Sequence, residues 1–166
     1  MPLKNETLFD AAAALLTAFA TNNRINIYLI RNIPDEAWRA VPPGGKGRDI
    51  GSMAAHIHNV RLMWLKSVQS PDNATPLPQK LDSETVTKEQ TVSALEESCA
   101  ALEESIRGAL RTDGRVKGFK PDVCSFAAYL FAHEGHHRGQ ITMLARQVGH
   151  PVSKSAMFGL WEWGTR

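Results

Sequence analysis

The stretch that decides the fold is Asp122–Val148, DVCSFAAYLFAHEGHHRGQITMLARQV. Phe126, Leu130, His133, His137, Ile141, Leu144 and Val148 recur in it at steps of 4, 3, 4, 4, 3 and 4. That spacing marks one inward face of an α-helix. The stretch is predicted to form a single helix about 40 Å long, from a rise of about 1.5 Å per residue. Gly149 and Pro151 stop it. At mid-length its apolar seam is interrupted by two imidazoles. Four residues turn a helix by about 400°, so the rings of His133 and His137 lie on one face, one turn apart.

Three further segments carry the same periodicity. Leu8, Ala12, Leu15, Phe19, Asn22, Asn26, Leu29 and Ile33 form one face of a first helix that Pro34 ends. The connection PDEAWRAVPPGGKGR follows, with room for a short turn at Asp35–Trp38. A second helix starts after Asp49 as N-cap and runs to about Val68, with Met53, Ile57, Val60 and Trp64 as its expected inner stripe. The proline-bearing QSPDNATPLPQKLDSET reads as a loop. Thr87 and Gln90 form a capping-box pattern, behind which Val92, Leu95, Cys99, Leu102, Ile106 and Ala109 give an unbroken seam. RTDGRVKGFKP breaks that helix. The tail SKSAMFGLWEWGTR is expected to be a packed short helix or turn that buries Phe158, Leu160, Trp161 and Trp163.

No strand-period alternation competes with these segments. The expected fold is all-α: one domain over residues 1–166, a four-helix bundle with long crossover connections and a short C-terminal helix or turn. A chain of this length buries roughly 70% of its unfolded surface, enough for a self-sufficient core. Hydrophobic residues at 43% and charged residues at 22% suit a globular protein. The net charge of +2 and the lack of a dense Lys/Arg run argue against a nucleic-acid partner. No signal-peptide core is found in MPLKNETLFD, and no uncharged run approaches the roughly 20 residues of a membrane span. A cytoplasmic protein without a membrane partner is expected, with Cys99 and Cys124 as free thiols.

Burying two unpartnered imidazoles costs about 1–3 kcal/mol each, so His133 and His137 need a partner. A divalent metal satisfies both, because neutral imidazole is a good ligand for zinc, nickel and iron. His56, one turn beyond Met53 and beside the inner stripe of the second helix, is the natural third ligand. Three protein ligands leave positions open to water or substrate, as catalytic sites do. Asn22 and Asn26 interrupt the first helix at mid-length and are candidates to line the cavity, with Trp64 and the C-terminal aromatics. His58 and His136 are expected at the surface or behind the ligands, and His150 in a solvated loop. Glu134 turns about 100° away from His133 and is read as a surface or supporting group. Arg138 and Gln140 are expected to be solvated or to touch the second helix.

Three short motifs do not hold. His133-Glu134-x-x-His137 fits the HExxH of zinc peptidases, but no substrate-binding sheet accompanies it. Glu134-x-x-His137 fits half of a di-iron bundle site, and no second Glu-x-x-His exists. PPGGKGR lacks the spacing of a phosphate-binding loop.

The pair GSMAAHIHNVRLMW and HEGHHRGQITMLARQVG resembles the DinB/YfiT-like family of metal-binding four-helix bundles, over nearly the whole chain. The resemblance implies the ligands His56, His133 and His137, a fold with crossovers and a homodimer. It also implies a divalent-metal cofactor, zinc or nickel first and iron next, and a low-molecular-weight thiol. The expected function is a thiol-dependent S-transferase, or a related hydrolase or isomerase, acting on small-molecule electrophiles. The alternative is a non-catalytic metal-binding stress-response protein.

Overall fold

The computed structural model describes residues 8–68 and 76–166. Helices α1 (Ala11–Asn32), α2 (Asp35–Trp38), α3 (Ile50–Val68), α4 (Lys88–Leu110), α5 (Val123–Gln147) and α6 (Lys154–Gly159) make up the fold, and no strand forms among the described residues. The helix starts are capped as their sequences suggest. Asp49 Oδ1 accepts the Ser52 N–H at 2.7 Å. Thr87 and Gln90 complete a reciprocal capping box. Asp10 caps α1 by accepting the Ala13 N–H, so the helix starts after the first residue of the predicted stripe. Leu8 therefore lies outside α1 and is exposed, a correction to the sequence reading.

Two clusters of buried side chains mark the ends of the bundle. One joins Leu29 and Ile30 of α1, Ile50 and Ile57 of α3, Leu95 of α4 and Ile141 of α5. The other joins Phe19 of α1, Leu62 and Leu65 of α3, Leu102 and Ile106 of α4, and Phe126 and Leu130 of α5. Helices α1 and α5 thus run one way, and α3 and α4 the other. Each of α1 and α3 packs on both α4 and α5, so α1 and α3 face each other across the diagonal.

Since α3 ends where α4 also ends, the α3–α4 connection must travel the length of the bundle. Its described part runs back along α3. The Asn59 amide pairs with both the N–H and the C=O of Leu81, the Ser52 hydroxyl donates to the Ser83 carbonyl, and the Trp38 indole donates to the Val86 carbonyl. The expected crossover is present. The part of the predicted loop over 69–75 lies outside the described residues.

Three expectations are corrected. The inner face of α3 continues from Met53 and Ile57 through Arg61 and Leu65, whereas Val60 and Trp64 are half-buried. Both continuations keep a helical step, and the charge on Arg61 hid the true one. His58 is fully buried: its Nε2–H donates to the Gln79 carbonyl at 2.9 Å, and its Nδ1 lies 3.2 Å from the Ser98 hydroxyl. His58 therefore ties the crossover to the core. The tail forms α6 as expected, yet Phe158 and Trp161 are 73% and 80% exposed, Trp163 is exposed and Leu160 is half-buried. A helix this short offers one narrow face, and here it consists of Ala156 and Gly159. Gly159 sits so close to Tyr28 that a Cβ would fall within 2.7 Å of its ring, and Arg166 covers that ring at 3.8 Å. Small residues make the contact and the large aromatics stay outside.

Candidate metal centre

His56 comes from α3, and His133 and His137 from α5. One nitrogen from each ring lies within 4.8 Å of the other two. The ring of His56 is 4.7 Å from that of His137 and 5.4 Å from that of His133, centroid to centroid. His133 Nε2 and His137 Nε2 stand 3.1 Å apart. His136 is exposed, with its ring edge-on to His137, and His150 is half-buried rather than fully solvated.

His137 Nδ1 lies 2.8 Å from Gln140 Oε1. A carbonyl oxygen only accepts, so Nδ1 carries the proton and Nε2 keeps a free lone pair facing the other two rings. Gln140 is thus an orienting partner of His137, not a solvated neighbour. The His133 ring stacks on Tyr129. Its Nδ1 is buried with no hydrogen-bond partner among the described residues, so Tyr129 and the Nε2 contact to His137 orient this ring.

Burial disfavours the imidazolium at all three positions. His56 is lowered from 6.5 to about 4, by burial first, then by Arg48 and the other two imidazoles. His133 and His137 are also lowered, burial again leading. At neutral pH the site presents three neutral imidazoles, the protonation state that metal binding requires. A 3.1 Å gap between two nitrogens is what two ligands on one ion at about 2.0–2.1 Å produce. The donor set and its spacing therefore fit a divalent ion.

Directly behind the histidines lies a buried polar network that sequence reasoning missed. Glu134 is fully buried, not a surface group. Its Oε1 accepts Arg61 Nε–H at 2.7 Å, and its Oε2 accepts from Arg61 Nη2 at 2.9 Å, Asn22 at 2.6 Å and Asn26 at 2.5 Å. Arg138 closes the network by donating to the side-chain oxygens of Asn22 and Asn26. Burial opposes ionisation of Glu134, yet Arg61, the Asn26 amide and Arg138 hold its carboxyl below the ordinary value. Four protein donors on its two oxygens, with full burial, commit Glu134 to this network rather than to the histidine cluster. Asn22 and Asn26 accordingly do not line a cavity; they grip this carboxylate. Arg138 is likewise committed to α1, not to solvent or α3. One signal was available: Glu134 follows Leu130 by four residues and precedes Ile141 by seven, a core register.

A cleft of about 540 Å³ opens beside His56, between α3 and the crossover segment. Arg48, Ser52, Asn59, Lys80 and Asp82 are among its walls. Neither Trp64 nor the C-terminal aromatics line it. Trp64 instead packs edge-on against Phe119, Phe126 and Tyr129.

The DinB family model matches residues 1–163. The chain belongs to the DinB family. No curated protein and no solved structure matches it. Within this DinB chain, the three histidines marked by the sequence resemblance are the three that the bundle brings together, positioned so that they can hold a metal ion. No helix among the described residues is long and apolar enough to cross a membrane.

Proposed function

We propose that this DinB-family protein is a divalent-metal-dependent enzyme that transfers a small thiol onto a small electrophile, with His56, His133 and His137 as ligands. One observation carries the reading. Three neutral imidazoles converge with no fourth metal-ligating side chain among the described residues, and one of them lines an open cleft. A closed structural site has four protein ligands, whereas catalytic sites keep a position free.

A divalent ion held in this way supplies Lewis acidity and lowers the pKa of a thiol brought to it. The chain's own residues do the rest. Gln140 fixes the tautomer of His137, so that Nε2 faces inward. Tyr129 packs against His133 and sets its plane. The Arg61–Glu134 pair holds α5 in register against α3, and so holds His133 and His137 against His56. The cleft admits the reactants beside His56. In the reaction the thiol gives up its proton to solvent water, and its sulfur forms a bond to the electrophilic carbon as the bond from that carbon to its leaving group breaks. The leaving group departs with the electron pair.

The test is metal content per chain, measured by elemental analysis on protein purified without a histidine tag. Near-stoichiometric metal, lost in His56→Ala, His133→Ala and His137→Ala, supports the ligand set and justifies a screen of thiol-transfer substrates. Parent protein that stays metal-free after reconstitution with zinc, nickel and iron overturns it.

A further inference from the structure

The polar groups of the cleft beside His56 are not equally available. The Asn59 side chain is spent on both backbone groups of Leu81, and the Ser52 hydroxyl on the Ser83 carbonyl. The Asp82 carboxylate accepts the Glu84 N–H and the Thr85 hydroxyl. Two cations remain. Arg48 and Lys80 line the cleft, are exposed, and make no hydrogen bond or ion pair among the described residues.

Charge balance makes these two cations informative. Three neutral imidazoles leave the full charge of a divalent ion uncompensated, and among the described residues no carboxylate joins the cluster. Glu134, the acidic neighbour in sequence, is committed to Arg61. Arg48 adds a further positive charge whose field reaches both His56 and His137. Against the single carboxylate of Asp82 the two cations leave the cleft net positive, and cations gathered on the walls of a cleft focus their field into it. A guanidinium is also shaped to receive a carboxylate or phosphate through paired N–H donors.

We propose that the cleft receives an anionic group, a carboxylate or a phosphate, of the small-molecule ligand, with Arg48 and Lys80 as the receiving cations and His56 at the reacting end. The proposal rests on the reading of the three histidines as the reacting centre for the fate of the ligand's other end; the anion site itself does not.

The experiment compares 3-mercaptopropionate with its neutral isostere 3-mercaptopropionamide, by calorimetric titration into the zinc-reconstituted full chain. The carboxylate binds about tenfold more tightly, and the preference shrinks as salt is raised. In the Arg48→Gln/Lys80→Gln variant the two probes bind alike and the amide affinity is unchanged, while Arg48→Lys keeps a large part of the preference. Equal affinities in the parent, or a preference that survives the double substitution, overturn the proposal. A second arm separates it from the metal reading. Propionate titrated into the metal-free chain shifts the backbone amide resonances of Ser52 and Asn59, propionamide does not, and the double variant loses the response. That response in a chain that takes up no metal supports the anion site while the metal reading falls. Its absence overturns the anion site whatever the metal content.

Discussion

Arg61 and Glu134, 73 residues apart in the chain, form a two-pronged ion pair at 2.7 and 2.9 Å with neither side chain exposed. Arg61 lies on α3 just beyond His56, and Glu134 lies on α5 next to His133. The pair therefore joins the two helices that carry the candidate ligands. Arg61 also donates to the Asn23 side chain and the Leu95 carbonyl, so the same guanidinium reaches α1 and α4. All four long helices meet at one charge.

Breaking such a pair strands a buried charge, which costs about 3–5 kcal/mol, whereas replacing both partners by apolar groups costs far less. Glu134→Leu and Arg61→Leu are each expected to lower the stability of the bundle by about that amount in urea unfolding. Arg61→Leu/Glu134→Leu is expected to lose much less than the sum of the single changes. Strictly additive losses would show that the two groups act separately.

How far the sequence could be read follows from the same pair. The four helices and their caps were legible because periodicity and capping are local signals: Thr87 with Gln90 and Asp49 with Ser52 behave as their spacing suggests. The convergence of the triad was legible too, because His133 and His137 stand in an apolar seam, His56 follows Met53 by one turn beside the stripe of α3, and the resemblance names the same three. Arg61 and Glu134 were not. Each sits in core register, but a charged side chain is assigned to solvent unless its partner is known, and that partner is on another helix. Asn22 and Asn26 were seen to break the apolar face of α1, and their target was again out of local reach. The tail failed for the opposite reason. Its aromatics were assigned to the core by hydrophobicity, while the contact that forms uses Ala156 and Gly159.

Acid is expected to destabilise the metal-free bundle earlier than carboxylate titration alone would. His56 is lowered from 6.5 to about 4, and His58, His133 and His137 are also lowered, all led by burial. In each case the unfolded chain binds the proton more readily than the folded one. This contribution is present above the unfolded value of 6.5 and is lost as pH falls towards about 4 for His56. Urea midpoints recorded on chelator-treated protein at several pH values between 8 and 4 should fall steadily below about 6.5. His56→Gln should flatten part of that slope. A flat profile down to pH 5 would contradict the neutral, buried imidazoles.

The two cysteines are expected to differ sharply in reactivity. Burial pushes the Cys99 thiol up to about 12, and α4 packs it into the core, whereas Cys124 is exposed at the first turn of α5. The thiolate is the reacting form, so an aromatic disulfide reagent should titrate one thiol per native chain and two in denaturant. Cys124→Ser should remove the native reaction entirely. That variant is also the suitable chain for thiol-transfer assays, because it presents no competing surface thiol. Rapid modification of Cys99 in the folded chain would mean that the α4 seam opens far more readily than its packing suggests.

Gln140 offers the sharpest test of how the site is oriented, because its hydrogen bond goes to His137. Its Oε1 accepts the Nδ1 proton of His137 at 2.8 Å, which keeps Nε2 unprotonated and facing His133. Without that acceptor the imidazole is free to take the other tautomer, with the proton on Nε2, and must pay about the cost of a lost hydrogen bond to return. Removing such supporting partners lowers metal affinity by about 10–100-fold. Gln140→Ala is therefore expected to weaken zinc retention within that range, read by competition against a chelating dye, with little change in the urea midpoint of the metal-free chain. Gln140→Glu keeps an acceptor at the same reach and should restore most of the affinity. A metal affinity unmoved by Gln140→Ala would mean that packing against His56 and His136, not the amide, sets the His137 ring.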